Sequence, residues 1–293
     1  MFAGTYTALV TPFHKGRVDE GAFQKLISDQ VRGGVDGIVP VGTTGESPTL
    51  GFDEHIRVIE LAVRAAKGRV KVLAGTGANA TAEAVHLTQA AEAVGADGSL
   101  QVAPYYNKPS QEGVFQHFKK IARATRLPII LYSIPGRCNI AIEVPTVQRL
   151  AKACKNIVGI KEAGGDADRV SQLRSTLGQR FTILSGDDAL TLPFMAVGAE
   201  GVISVASNII PRQITRMVNA FTAGNADAAL RLHQKYYPMF KDLFIETNPV
   251  PTKAALAMLG KCTEEYRLPL CKMSAGNRAQ LAKTLKACGV LKK

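Results

Sequence analysis

Eight short β-rich apolar runs recur along the chain, at 5–11, 37–41, 70–75, 99–103, 128–134, 157–163, 181–185 and 201–207. Nearly every one is followed by a stretch in which apolar residues return every three or four positions. Short apolar runs bounded by turn residues read as buried strands, and the longer period reads as amphipathic helix. After the second run, Ile56, Ile59, Val63 and Ala66 make an apolar stripe opposite Arg57, Glu60, Arg64 and Lys67. Val114, Phe118, Ile121 and Ala122 repeat the pattern after the fourth run, and Val147, Leu150, Ala151 and Cys154 after the fifth. Alternating strands and helices predict an α/β chain with a parallel sheet, and eight such units close a (β/α)8 TIM barrel. An open doubly wound sheet would want a Gly-x-Gly-x-x-Gly turn after its first strand, and none stands there. Pro40 strains the second run, because proline is disfavoured inside a central strand. Either that strand ends early or its ladder is broken. Beyond Gly224 the strands stop, and 225–245, 250–260 and 275–288 read as helices. The expected organisation is a catalytic barrel over 1–224 and a helical appendage over 225–293.

In such barrels the chemistry sits where the strands end. Lys161 stands in the sixth run, Ile157-Val158-Gly159-Ile160-Lys161-Glu162-Ala163. An ammonium there is desolvated, which favours the neutral amine and makes it a usable nucleophile toward a ketone. The alternative is a lysine that snorkels to solvent or pairs with Glu162. Tyr132 occupies the matching depth of the fifth run, so two inward side chains would put a phenol beside the amine, able to move protons as a carbinolamine becomes an imine. Gly42-Thr43-Thr44-Gly45-Glu46-Ser47 follows the second run, and its amides and hydroxyls suit a carboxylate as well as an ordinary capped turn. Arg137, just past Pro135-Gly136, could clamp a second carboxylate or lie in solvent. Tyr105-Tyr106, bracketed by Pro104 and Pro109, suits an interface or an active site. Asp187-Asp188 after the seventh run suits helix capping better than a metal pair.

Composition removes other classes. The chain has 293 residues, 46% hydrophobic, enough for a large core. No apolar stretch reaches the roughly 18–20 residues of a membrane span. The segment 1–13 lacks a basic region and a cleavage site, so cytoplasmic residence is the expectation. Five cysteines, odd in number and widely spaced, suggest neither a disulfide framework nor a zinc site, and no metal is indicated. The net charge of +12 is dispersed over helices, with no Trp to stack on bases, which disfavours nucleic-acid binding.

The order Gly42-Thr43-Thr44-Gly45-Glu46, Pro104 to Pro109, Leu131-Tyr132 through Arg137, Gly159-Ile160-Lys161-Glu162-Ala163 and Ser185-Gly186-Asp187-Asp188 resembles the dihydrodipicolinate synthase family of pyruvate-dependent class I aldolases. The resemblance spans essentially the whole chain. It implies a lyase that joins pyruvate to aspartate semialdehyde through a lysine Schiff base, in the diaminopimelate route to lysine, without a metal or organic cofactor. It further implies that Lys161 is the Schiff-base lysine and Tyr132 the proton relay. By the same resemblance Thr44 links the two catalytic tyrosines, Thr43 holds the pyruvate carboxylate, and Tyr106 is lent across a tight dimer interface. Arg137 would bind the second substrate, and the backbones of Gly186 and Ile203 would line the pyruvate pocket. The implied assembly is a homotetramer of two tight dimers. A lysine effector would sit at Ser47, His55, Asn79, Glu83 and Tyr105. Pro48 and Phe52 depart from the lysine-sensitive bacterial pattern, and Gly136, Cys138 and Asn139 depart from the family's usual arginine loop.

Two rival readings stand at this point. One is a sister aldolase acting on N-acetylneuraminate or a 2-keto-3-deoxy sugar acid, against which Thr43 and Arg137 argue, since specificity lives in pocket contacts. The other is a non-catalytic barrel that binds a small anion.

Overall fold

The computed structural model describes residues 2–292. Its strands are β1 (Gly4–Ala8), a short hairpin of β2 (Phe13–His14) and β3 (Arg17–Val18), then β4 (Gly37–Val39), β5 (Lys71–Gly75), β6 (Gly98–Val102), β7 (Ile129–Ser133), β8 (Ile157–Glu162), β9 (Thr182–Ser185) and β10 (Gly201–Ser204). Apart from the hairpin they are parallel and form a closed barrel, with β1 pairing β4 on one side and β10 on the other. This is a (β/α)8 TIM barrel, with further helices at Ala226–Asp242, Val250–Met258 and Ala275–Ala287. Among the described residues no helix is long and apolar enough to cross a membrane.

Each expected run holds a barrel strand, and several strands stop short. β4 ends at Val39, so Pro40 lies outside it and its missing N–H is not needed. The Pro40 carbonyl still accepts from the Gly75 amide at 3.0 Å. The first run was expected to reach Thr11, yet β1 ends at Ala8. There Asn208 takes over the ladder: its Nδ2 donates to the Ala8 carbonyl at 2.7 Å and its Oδ1 accepts from the Val10 amide at 3.2 Å. The last run likewise leaves β10 at Ser204 and tightens into a 3-10 turn, Ala206–Asn208. The β2–β3 hairpin was not expected, because two-residue strands carry no periodicity to read.

The barrel is filled by inward side chains, among them Tyr6, Leu73, Leu100, Ile130, Leu184 and Ile203, all buried. Tyr6 fits because its register partner Gly37 has no side chain. A Cβ on Gly37 would stand 2.1 Å from Tyr6 Cε1. Outside, helix Gln111–Arg123 buries Val114, Phe118, Ile121 and Ala122 as its spacing implies. Each large apolar side chain fully buried there contributes about 1.5–3 kcal/mol. Helix Phe52–Ala66 is rotated from expectation. It buries His55, Val58, Ile59, Leu61, Ala62 and Ala66, while Ile56 and Val63 are only partly covered. The helix packs against β5 and against helices on both flanks, so its apolar face is wider than one stripe.

Helix Val250–Met258 is buried along most of its length, Thr252 and Lys253 included. It lies at the β4 end of the barrel. Lys253 Nζ reaches Glu46 Oε1 at 2.6 Å, and neither side chain is exposed. Pro251 in its first turn needs no intrahelical donor.

Candidate active site

Tyr132 on β7 and Lys161 on β8 are register partners, at the depth their places in the two runs imply. Both are buried, and Lys161 Nζ stands 4.1 Å from the centre of the Tyr132 ring. The neighbouring interior side chains Ile130, Leu184 and Ile203 are apolar. Burial therefore pulls the Lys161 pKa down from 10.5 to about 7, a shift opposed by Asp188 and reinforced by Arg137. A substantial share of the nitrogen is thus neutral near pH 7. Burial also pushes the Tyr132 phenol up, against the effects of Arg137 and of a hydrogen bond with the Thr43 side chain. The phenol stays protonated and can give a proton as well as relay one.

Gly186 leaves room for the amine. A Cβ there would lie 2.6 Å from Ala163 Cβ and 3.0 Å from Lys161 Cε. Asp188 is buried, and its pKa is raised to about 6 mainly by burial. The expected helix-capping role does not hold for either aspartate. Asp188 accepts from Ser204 Oγ at 2.5 Å and from the Val205 and Ala206 amides, both at 2.9 Å, so it clamps the end of β10. Asp187 Oδ1 closes its own turn through the Ala189 amide at 2.7 Å. Ile203 packs in the barrel interior, and Val205 rather than Ile203 is the β10-end residue lining the Lys161 cavity.

The two threonines after β4 meet different partners. The Thr43 side chain bears on the Tyr132 phenol, favouring its ionised form against the larger effect of burial. Thr44 Oγ1 instead accepts from Asn248 Nδ2 at 2.9 Å. The reason is local. Thr43–Gly45 is a single 3-10 turn, on which consecutive side chains point in different directions, and Thr11 Oγ1 pins its Gly45 carbonyl at 2.7 Å. Arg137 is exposed, but its Nη2 donates to the Asn248 carbonyl at 3.0 Å, which holds the guanidinium at the cavity rim.

Thr43, Thr44, Tyr132, Arg137, Lys161, Gly186, Phe244 and Asn248 line a cavity of ≈ 50 Å³ at the C-terminal ends of the strands. A second cavity of ≈ 190 Å³ shares Thr43, Tyr132 and Arg137 with it and runs on past Ser47, Pro48, Gly75 and Tyr105. The residues assigned to an effector gather on that side. Asn79 Nδ2 donates to the Tyr105 carbonyl at 3.3 Å, and Glu83 raises the Tyr105 pKa, although burial is the larger cause. His55 is buried and hydrogen-bonds the Gly75 carbonyl at 2.8 Å.

Tyr106 stands apart. Within this chain it does not reach Lys161: it is 92% exposed, at φ +71°. A large aromatic in solvent on a strained left-handed backbone is unusual for an isolated chain.

Asn248, Lys253 and Phe244 were not singled out from the sequence. Lys253 had a readable signal, a lone cation in the otherwise uncharged helix Val250–Met258. Asn248 had none, since it lies more than 200 positions from the threonine it meets.

The profile of the dihydrodipicolinate synthetase family matches residues 1–288. A 4-hydroxy-tetrahydrodipicolinate synthase of Endomicrobium trichonymphae is 53% identical over 292 residues, covering all of both chains. The solved structure of the 4-hydroxy-tetrahydrodipicolinate synthase of Methylacidiphilum fumariolicum SolV superposes with a TM-score of 0.98 at 55% identity, covering 99% of this chain and 96% of the other. A structure of the Cyanidioschyzon merolae enzyme of this family with lysine bound superposes with a TM-score of 0.96 at 43% identity over 99% of each chain.

Proposed function

The chain belongs to the dihydrodipicolinate synthetase family, and from that premise we propose that it condenses pyruvate with L-aspartate 4-semialdehyde through an imine on Lys161. The product is 4-hydroxy-tetrahydrodipicolinate, on the diaminopimelate route to lysine. The observation that carries this reading is the buried Lys161 amine, with its pKa lowered to about 7, against the ring of its register partner Tyr132.

The neutral amine adds to the pyruvate C2 carbonyl. Tyr132 supplies a proton to the departing hydroxyl, one water leaves, and the protonated imine draws electrons from C3. Loss of a C3 proton gives the enamine, whose carbon attacks the aldehyde of the second substrate; the aldehyde oxygen takes the C=O electron pair and a proton and becomes the 4-hydroxyl. The amino group of that substrate then adds to C2 in place of Lys161, closing the ring and freeing the lysine. Thr43 supports the relay by its influence on the Tyr132 phenol. Thr44 and the Gly42–Gly45 turn hold the pyruvate carboxylate. Arg137 takes the carboxylate of the second substrate, a pairing its planar guanidinium suits. Gly186 keeps the space beside Lys161 open.

Tyr106 completes the relay from a neighbouring copy, which accounts for its exposure here. The assembly in this reading is a homotetramer of two tight dimers, and the enzyme acts in the cytoplasm. Lysine is an effector at Ser47, His55, Asn79, Glu83 and Tyr105, where the ≈ 190 Å³ cavity runs toward the surface. Support for the effector comes from the lysine-bound relative.

A coupled assay tests the activity. Turnover of pyruvate with aspartate semialdehyde, and none with N-acetylneuraminate, is expected. The reverse preference would replace this reading with that of the sister aldolase.

A further inference from the structure

Asn248 precedes the buried helix Val250–Met258 and is itself buried. Its side chain and its backbone do two different things. Thr252, one turn along and also buried, donates its hydroxyl to Asn248 Oδ1 at 3.1 Å. That bond turns Nδ2 toward Thr44, to which it donates at 2.9 Å. Meanwhile the Asn248 carbonyl accepts from Arg137 Nη2 at 3.0 Å. The next helical residue, Lys253, is fixed by Glu46 at 2.6 Å, two positions after Thr44. The helix is therefore tied to the same turn twice, once at Thr44 and once at Glu46.

A hydroxyl has one proton to give. When Thr44 Oγ1 accepts from Asn248, its own proton is not used by Asn248 and is left for an acceptor in the cavity. A donor aimed at an anion makes a stronger bond than one between neutral groups. We propose that Asn248 is a positioning residue that makes Thr44 a hydrogen-bond donor to the pyruvate carboxylate and, through its carbonyl, sets Arg137 for the second carboxylate. One residue of the C-terminal helical region thus couples the groups that receive both substrates. This inference rests on the proposed condensation.

The bond to the carboxylate persists from bound substrate to transition state. Its loss therefore raises the KM for pyruvate and leaves kcat little changed. Hydrogen bonds to charged groups are worth about ten- to a hundredfold in affinity. The test is a double-mutant cycle between Asn248 and Thr44. It is read in two ways: as the KM and kcat for pyruvate, and as the pyruvate concentration that half-saturates borohydride trapping. Asn248→Ala is expected to raise both the KM and the half-saturation about tenfold or more in the wild-type background. In a Thr44→Val background it is expected to have no further effect, because the hydroxyl it orients is gone. Asn248→Asp, which can only accept when ionised, is expected to be at least as impaired as Asn248→Ala.

Thr252→Val keeps Asn248 and its carbonyl and removes only the bond that orients the amide. It is read in the same cycle, and it carries the test if Asn248→Ala does not fold. A smaller rise that vanishes in the Thr44→Val background supports the proposal. Effects that multiply across the cycle would overturn it, as would an Asn248→Asp enzyme with wild-type affinity. A wild-type chain that forms no pyruvate adduct at all would instead overturn the proposed function, so the two failures are distinguishable.

Discussion

Replacing Lys253 by Met removes one partner of a buried ion pair and leaves the other in place. The side chains are similar in length, so little cavity is created. The loss is electrostatic. Glu46 would keep only the Arg267 amide, at 3.3 Å, in place of an ammonium at 2.6 Å. The ammonium also sits 4.2 Å from the centre of the Phe13 ring and 5.2 Å from that of Tyr266, contacts that the thioether does not reproduce in charge. Breaking a buried pair from one side costs about 3–5 kcal/mol, because an uncompensated charge remains. Unfolding entropy near ~2.1 cal/mol/K per residue amounts to about 0.6 kcal/mol/K for a chain of this size. The expected fall in melting temperature is therefore about 5–8 °C, measured by calorimetry of the apo protein at neutral pH. The double variant Glu46→Gln with Lys253→Met removes both charges and is expected to regain at least half of that loss. A Lys253→Met protein melting within about 1 °C of wild type would refute the reasoning, and so would a double variant no better than the single.

Three further outcomes follow from the site. With its pKa lowered to about 7, Lys161 is mostly neutral above that value. The rate of adduct formation with pyruvate should therefore rise through pH 7 and level off above about 8, whereas an ordinary lysine would keep gaining up to 10.5. Gly186→Ala would press a methyl group against Ala163 and Lys161, so trapping should fall by more than about tenfold and the melting temperature by about 2–5 °C, the cost of overpacking. Lysine should inhibit weakly or partially in initial-rate assays, because Pro48 and Phe52 depart from the pattern of lysine-sensitive members of the family, and micromolar inhibition would contradict that.

The barrel was legible because strand and helix periods repeat with few interruptions, and each period reports which face is buried. Strand ends were less so. Where β1 stops is decided by Asn208, a side chain that intercepts the backbone from far along the chain, and where β10 stops by Asp188, which takes the Val205 and Ala206 amides. Lys161 and Tyr132 could be paired from their like distance from the starts of the two runs, although the ladder reaches that pairing through a register shift between Ile129 and Ile130 that no sequence period announces. Thr43 and Thr44 could not be told apart, since a 3-10 turn of three residues has no periodicity that shows which hydroxyl faces the phenol. The Asn248–Thr44 and Lys253–Glu46 contacts span more than 200 positions, and nothing local in either segment names its partner.

The condensation depends on the reactivity of one amine, that of Lys161. Borohydride reduction in the presence of pyruvate, followed by peptide mapping, examines it directly. One pyruvate-derived adduct per chain is expected, on the peptide containing Lys161, and none when Lys161 is replaced by Ala. An adduct on another lysine, or a chain that turns over without any adduct, would contradict it.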